Sequence, residues 1–282
     1  MKLGRLADGP TTFWALVDDD ETWVRPIRGG IGEWARPLST TWDTGVLDFG
    51  IPRPLDSLTI LAPAEETSKV VCLGATYARH VAGLGITPTP HPAGFWKPFD
   101  ALIGAYDDIE YPAISEALDF EVEFVFVMAG PVDRTAPAGS VLGYTVGNDT
   151  SLRDLQFGGS VTGMDMFSAK SQVRATPLGP WIVTADEFGP GLPDLSLTLT
   201  VNGERRQSAR TSDMSFSLDT LVTWADERTP LRAGDVVFTG TPDGVGHEDG
   251  RYLAPGDLVE ISIEHLGAQR NRVGARPPAV TR

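Results

Sequence analysis

Along residues 119–127, Asp-Phe-Glu-Val-Glu-Phe-Val-Phe-Val, polar and apolar side chains alternate with the period of a β-strand. Phe120, Val122, Phe124 and Phe126 share one face. Asp119, Glu121 and Glu123 share the other, which turns apolar at Val125 and Val127. The same pattern predicts a hairpin of strands 11–17 and 22–27 about the acidic turn 18–21. Further strands are predicted over 70–74, 95–97, 101–103, 141–146, 181–184, 195–202, 236–239 and 258–263. Helix candidates are few: 31–47, which Pro37 interrupts; 75–81, as a turn or short helix; 151–156, as one or two turns; and 216–224. Residues 83–94, rich in Gly and Pro, read as a loop able to act as a lid beside a site. Residues 49–67, with Pro52, Pro54 and Pro63, read as the way out of a small N-terminal module, and 268–282 as a basic tail that frays. Strands dominate, so the expected class is mainly β with a few helices (α+β), divided into a module of residues 1–66 and a larger domain of 67–282.

Composition narrows this picture. The net charge of −15 argues against a general binder of nucleic acid or anionic membranes. The single cysteine, Cys72, excludes an intrachain disulfide and fits a reducing compartment. No apolar run approaches the ~20 residues of a membrane span, and residues 1–10 lack the apolar run of a signal peptide. The expectation is a soluble, cytoplasmic protein.

The acidic row then demands an explanation. Side chains two apart on a strand stand roughly 6.5 Å apart, so three carboxylates in line repel one another and are costly to bury unpaired. One reading is a solvated strand face. The other is a hard-metal site, since Mg²⁺ and Mn²⁺ take oxygen ligands; the apolar continuation at Val125 and Val127 favours it, because it carries the acids toward a covered core.

A second stretch runs from Gly143 to Gln156, Gly-Tyr-Thr-Val-Gly-Asn-Asp-Thr-Ser-Leu-Arg-Asp-Leu-Gln. Asp149 ends a strand, where an acid can face a cleft; Arg153 and Gln156 would share a face of the short helix that follows. The plainer reading makes Asp149 or Ser151 an N-cap and Arg153–Asp154 a surface pair. Lys170 taken alone reads as a solvated charge. The Gly-rich turn at 240–246 lacks the lysine and spacing of a phosphate-binding P-loop, so no nucleotide is expected. None of His80, His91, His247 and His265 is paired at metal-ligand spacing, which argues against zinc.

Taken in order, Glu121-Val122-Glu123, the Asn148-Asp149 pair with Ser151, Arg153, Asp154 and Gln156, Lys170-Ser171, Pro177-Leu178-Gly179-Pro180-Trp181, Val201-Asn202-Gly203-Glu204, Thr211-Ser212-Asp213-Met214, and Gly234-Asp235 leading to Thr239-Gly240-Thr241-Pro242 and Gly244-Val245-Gly246 resemble the fumarylacetoacetate hydrolase family over about 70–263. The resemblance implies a rolled, mixed β-sandwich catalytic domain, a homodimer, and a divalent cation (Mg²⁺, or Mn²⁺ or Ca²⁺) held by Glu121, Glu123 and Asp149. It implies small 2-oxo or 2,4-dioxo acids as substrates, with an enolate stabilised as a C–C bond breaks or a proton moves. It places Lys170 and Gln156 at the reacting oxygens, Tyr77, Lys97, Arg153 and Thr241 on the substrate, and His80 as the base that activates water. The chain departs from the family in two places. The Glu three residues after the histidine is Gly83 here, which leaves His80 without its polarising acid. Beyond Lys170, Val173 and Arg174 replace the family's acid, which suggests a changed substrate end. The segment His247-Glu248-Asp249 also departs from the family pattern. Hydrolysis of an acylpyruvate-like C–C bond is the leading expectation. Isomerisation (tautomerisation), decarboxylation or dehydration of a 2-oxo acid on the same site is the alternative, favoured by the missing acid.

Overall fold

Strand Val122–Met128, the apolar end of the alternating segment, is buried on both faces. The computed structural model describes residues 1–277 apart from 84–86, 88, 159 and 162. In it, Phe124, Phe126 and Met128 pack with Leu197, Leu199, Val259 and Ile261 of a second sheet. Val125 and Val127, on the opposite face, meet Ile31, Trp34 and Leu38 of the helix Ile31–Thr41. A strand covered on both sides has no solvated face, so any charge on it must find partners within the protein.

Among the described residues, eleven strands form the main sheet, in the order Arg53–Pro54, Trp23–Ile27, Thr11–Val17, Lys2–Asp8, Ile182–Thr184, Val141–Asn148, Val122–Met128, Val236–Phe238, Val70–Gly74 and Ala93–Lys97, with Thr59–Leu61 beside Lys2–Asp8. The pairings are antiparallel except between Val236–Phe238 and Val70–Gly74. The N-terminal strands join the rest where Lys2 and Leu3 pair with Val183 and Ile182. The second sheet runs Glu204–Arg210, Ser196–Val201, Leu258–Ile263, Gly267–Arg272. The architecture is mainly β, as the alternation implies.

Two expectations are corrected, and one strand goes unseen in the pattern. Pro37 does not interrupt its helix, which runs through it to Thr41; one lost amide bond is outweighed by the apolar stripe of Ile31, Trp34, Ala35 and Leu38 buried against the sheet. Residues 268–272 of the expected tail belong to the paired strand Gly267–Arg272, with Gln269 and Asn271 buried, while 278–282 lie outside the described residues. The strand Glu204–Arg210 is too polar and charged for a hydrophobic pattern to reveal. The expected lid over 83–94 falls partly on residues 84–86 and 88, outside the described ones; Ala93–Gly94 belong to a strand.

Candidate active site

The alternating segment breaks where the acids begin. Leu118–Asp119 pairs with Ser151–Leu152, Val122–Met128 with Val141–Asn148, and Phe120–Glu121 form the joint between. At that joint the Asn148 Oδ1 accepts the Glu121 N–H (2.9 Å), and the Asp149 N–H donates to the Glu121 carbonyl (3.0 Å). Across the ladder Glu123 stands opposite Gly147, where a Cβ would lie 2.4 Å from the Phe238 ring; only glycine fits. Two neighbouring strand ends therefore deliver Glu121, Glu123 and Asp149 to one point, their carboxylate oxygens within 4.8 Å of one another and all three buried.

The solvated-face reading thus fails, and so do the plainer readings of Asp149, Asp154 and Lys170. Leu152, not Asp149 or Ser151, occupies the N-cap of the helix Arg153–Gln156. Asp154 accepts from Ser115 and the Glu116 N–H, not from Arg153. Lys170 is buried, with its Nζ 2.8 Å from Glu121 Oε2 and 2.7 Å from Asp149 Oδ2. Arg153 is buried too and donates to Asp119 (2.8 Å), Glu121 (2.6 Å) and Gln156 (2.8 Å). Burial by itself would raise the Glu121 pKa; the charges of Lys170 and Arg153 overcome it and hold that carboxyl well below the usual range. Lys170 mirrors this: burial disfavours its charge, but Asp149 and Glu121 outweigh burial and raise its pKa, so the ammonium persists.

Glu123 differs. Burial, then the charges of Asp149 and Glu121, push its pKa well above the usual value. One oxygen accepts the Gly240 N–H at 2.6 Å, so the glycine turn serves an internal anion. Among the described residues no cation pairs with it at ion-pair distance, whereas Lys97, Arg153 and Lys170 are all engaged elsewhere. Lys97 Nζ is 2.9 Å from Asp149 Oδ1, but its hydrogen bonds are directed at the carbonyls of Thr150 and Lys170, leaving that oxygen without an aligned donor. A buried acid with no cation of its own, beside an undersatisfied carboxylate oxygen, is the donor set a divalent ion fits.

The acids form one wall of a cavity of about 180 Å³. Lys170, Gln156, Thr241 and His80 also line it, and Phe95 and Met166 are among its apolar residues. Lys97, Arg153 and Tyr77 are not on its surface. The two cations stand behind the carboxylates, and Tyr77 is packed in the core with its hydroxyl unpartnered. Arg174, expected near a changed substrate end, instead pairs with Glu110 on the surface, and Val173 is exposed.

His80 lies on the helix Ala78–Gly83, buried at 8% exposure. Its missing acid partner is not missing in space: Nδ1 is 3.4 Å from Glu248 Oε1. Two supporting roles escaped the sequence reading, that of Asp119 and that of Gln207. Asp119, one of the alternating acids, accepts Arg153 together with the Gly246 and His247 amides. Gln207 accepts the Val122 N–H and donates to Thr241 Oγ1 and the Pro242 carbonyl, each at 2.9 Å; it lies on the strand whose charged pattern hid it. The row of three acids over 119–123 flags Asp119 but not its part as an anchor for Arg153 and the 246–247 amides; nothing in the pattern points to Gln207.

Comparison with known proteins returns a consistent set. A sequence model described as fumarylacetoacetate (FAA) hydrolase, C-terminal, matches residues 69–274. The mitochondrial oxaloacetate tautomerase FAHD2B of Bos taurus is 36% identical over 225 residues, covering 78% of this chain and 71% of its own. The crystal structure of a 5-carboxymethyl-2-hydroxymuconate delta-isomerase from Mycobacterium smegmatis is 33% identical with a TM-score of 0.80, covering 98% of this chain and all of the other. A fumarylpyruvate hydrolase from Pseudomonas aeruginosa, in complex with Mn²⁺ and pyruvate, is 30% identical with a TM-score of 0.67 over 74% of this chain and 90% of that one.

Proposed function

The chain belongs to the fumarylacetoacetate hydrolase family and is an enzyme, and from that premise we propose that it moves a proton on a small 2-oxo acid, as a divalent-metal-dependent tautomerase or isomerase. The metal dependence is carried by the buried cluster of Glu121, Glu123 and Asp149, in which Glu123 pairs with no cation among the described residues, and the choice of proton transfer is supported by the tautomerase and isomerase relatives. These three residues would hold Mg²⁺ or Mn²⁺ (Ca²⁺ being a third candidate), and a bound divalent cation supplies Lewis-acid chemistry at the oxygens of a 2-oxo acid. Everything else is done by side chains. The Lys170 ammonium, kept charged by Asp149 and Glu121, faces the cavity and stabilises negative charge that develops on the substrate oxygen. Gln156, oriented by Arg153, offers its amide to the same end of the substrate. Thr241, whose hydroxyl accepts from Gln207 and donates to the Val122 carbonyl, shapes the cavity at the substrate's carboxylate end. Lys97 and Arg153 act from behind the acids, and Tyr77 from the core, as positioning residues. His80 takes and returns the proton at carbon. The small cavity and its apolar lining limit water and suit a short-chain acid.

Hydrolysis of an acylpyruvate-like C–C bond is the second reading. It is favoured by the acid beside His80, which restores the means to activate water. Decarboxylation and dehydration need no such water and are separated by product. With Mg²⁺- or Mn²⁺-loaded protein, oxaloacetate and an acylpyruvate are supplied in turn. Accelerated keto–enol interchange at unchanged mass supports the first reading, two fragments from the acylpyruvate the second, and CO₂ release decarboxylation. Full activity in Glu121→Gln, or in excess chelator, rules out the metal role. The division into an N-terminal module of 1–66 and a catalytic domain of 67–282, a homodimeric state and a cytoplasmic location go with this proposal. No described helix is long and apolar enough to cross a membrane.

A further inference from the structure

The geometry points to Glu248 as the positioning residue for His80: an acid supplied by the 246–249 turn of helix, 168 residues further along the chain, to the space beside Gly83. This inference rests on the proposed role of His80 as the proton-transferring base. Of the three consecutive polar side chains in that turn, only one faces the histidine. His247 stacks on Phe157 at 4.7 Å and has its Nδ1 3.0 Å from the Tyr252 hydroxyl. Asp249 is occupied by Arg206 and Arg251. Glu248, its side chain a quarter exposed, is directed at the histidine. Its Oε2 accepts the Gly244 N–H at 3.0 Å, which leaves Oε1 for His80 Nδ1 at 3.4 Å. A Cβ on Gly83 would stand 3.6 Å from that same Oε1.

The turn is anchored to the cation-binding wall. Asp119 accepts the Gly246 N–H at 2.7 Å and the His247 N–H at 3.0 Å, and a Cβ on Gly246 would come within 2.6 Å of the same carboxylate. Asp119 therefore ties the segment that carries Glu248 to the strand that carries Glu121. An imidazole used as a base needs one nitrogen free toward the substrate and the other committed to an acceptor that sets the tautomer and steadies the ring. With Nδ1–H directed at Glu248, Nε2 is the nitrogen left for the cavity. The long contact is of the kind that tightens when substrate is bound.

The test uses full-length Mg²⁺-loaded protein with oxaloacetate as the turnover probe, and nitrogen NMR of the imidazole rings, His80 being assigned by the loss of its signals in His80→Asn. Glu248→Ala is expected to lower kcat about 10–100-fold with little change in KM, and Glu248→Gln, which keeps an acceptor, less. Placing the acid on the other segment, Gly83→Glu in the Glu248→Ala background, is expected to recover part of kcat. In the wild type the His80 signals are expected to be those of the Nδ1-protonated tautomer, moving to a mixture in Glu248→Ala. Wild-type kcat in Glu248→Ala, or His80 signals unchanged in both Glu248 variants, overturns the inference. If oxaloacetate is not turned over by the wild type, the proposed reaction fails on its own account, while the ring signals still decide the pairing.

Discussion

The two walls of the cavity are built differently. The acidic wall stands on central strands buried on both faces, where Glu121 and Asp149 are tied by short, charge-assisted bonds to Lys170, Glu121 also to Arg153, and Lys97 stands close to Asp149. The histidine wall stands on a six-residue helix beside a Gly- and Pro-rich stretch, and the side-chain partner of His80 among the described residues, Glu248, is 3.4 Å away. The contrast separates two tasks. Holding a small, highly charged ion requires ligands that do not move, while transferring a proton requires a group that can approach, act and let product leave.

The sharpest way to break this comparison is to remove a ligand from the rigid wall. Glu121→Gln and Asp149→Asn are each expected to abolish Mg²⁺ or Mn²⁺ binding in calorimetry and to bring turnover to background; retained binding would deny that wall its task. On the other wall, His80→Ala is expected to lower kcat by about 10²–10⁴-fold while leaving cation affinity unchanged. Loss of cation binding in that variant would mean the walls are not separable. Lys170→Met is expected to cost about 10²–10³-fold in kcat, with a loss of thermal stability besides, because Glu121 and Asp149 lose a buried counter-charge.

A smaller effect tests the electrostatics of the acidic wall. The folded protein raises the Glu123 pKa above the ordinary 4.5, so it binds that proton more tightly than the unfolded chain does. The resulting stabilisation is present below about pH 4.5 and is lost as pH rises through the folded value. Glu123→Gln mimics the protonated form. In chelator its melting temperature is expected to exceed that of the wild type at about pH 7.5, with the gap closing toward pH 4.5. Saturating Mg²⁺ is expected to reverse the order, since only the wild type gains from binding. Smallest of all, and without any mutation, amide exchange is expected to be slowest in Val122–Met128 and faster in Ala78–Gly83. Equal protection would erase the comparison.

How much of this was legible beforehand follows from what each signal depends on. Alternation over 119–127 revealed a strand because side-chain period is a local property, and Glu121 and Glu123 were singled out with it. The hairpin of 11–17 and 23–27 was visible for the same reason. The burial of Lys170 and Arg153 was not, since lysine and arginine are ordinarily solvated and only the surrounding chain tells otherwise. Pro37 misled because a local rule about helices carries no knowledge of the apolar face that holds this one in place.

The order of residues alone determined the strands that alternate or run apolar, the acidic row and the motif sequence that identifies the family, because each is a pattern of near neighbours. Only the folded chain decided that Glu123 pairs with no cation among the described residues, that Lys97 and Arg153 sit behind the acids, and that Glu248 stands where Gly83 offers nothing. These are encounters between segments tens to more than a hundred residues apart, and the spacing of residues along a chain carries no record of which distant side chain will fill a given space.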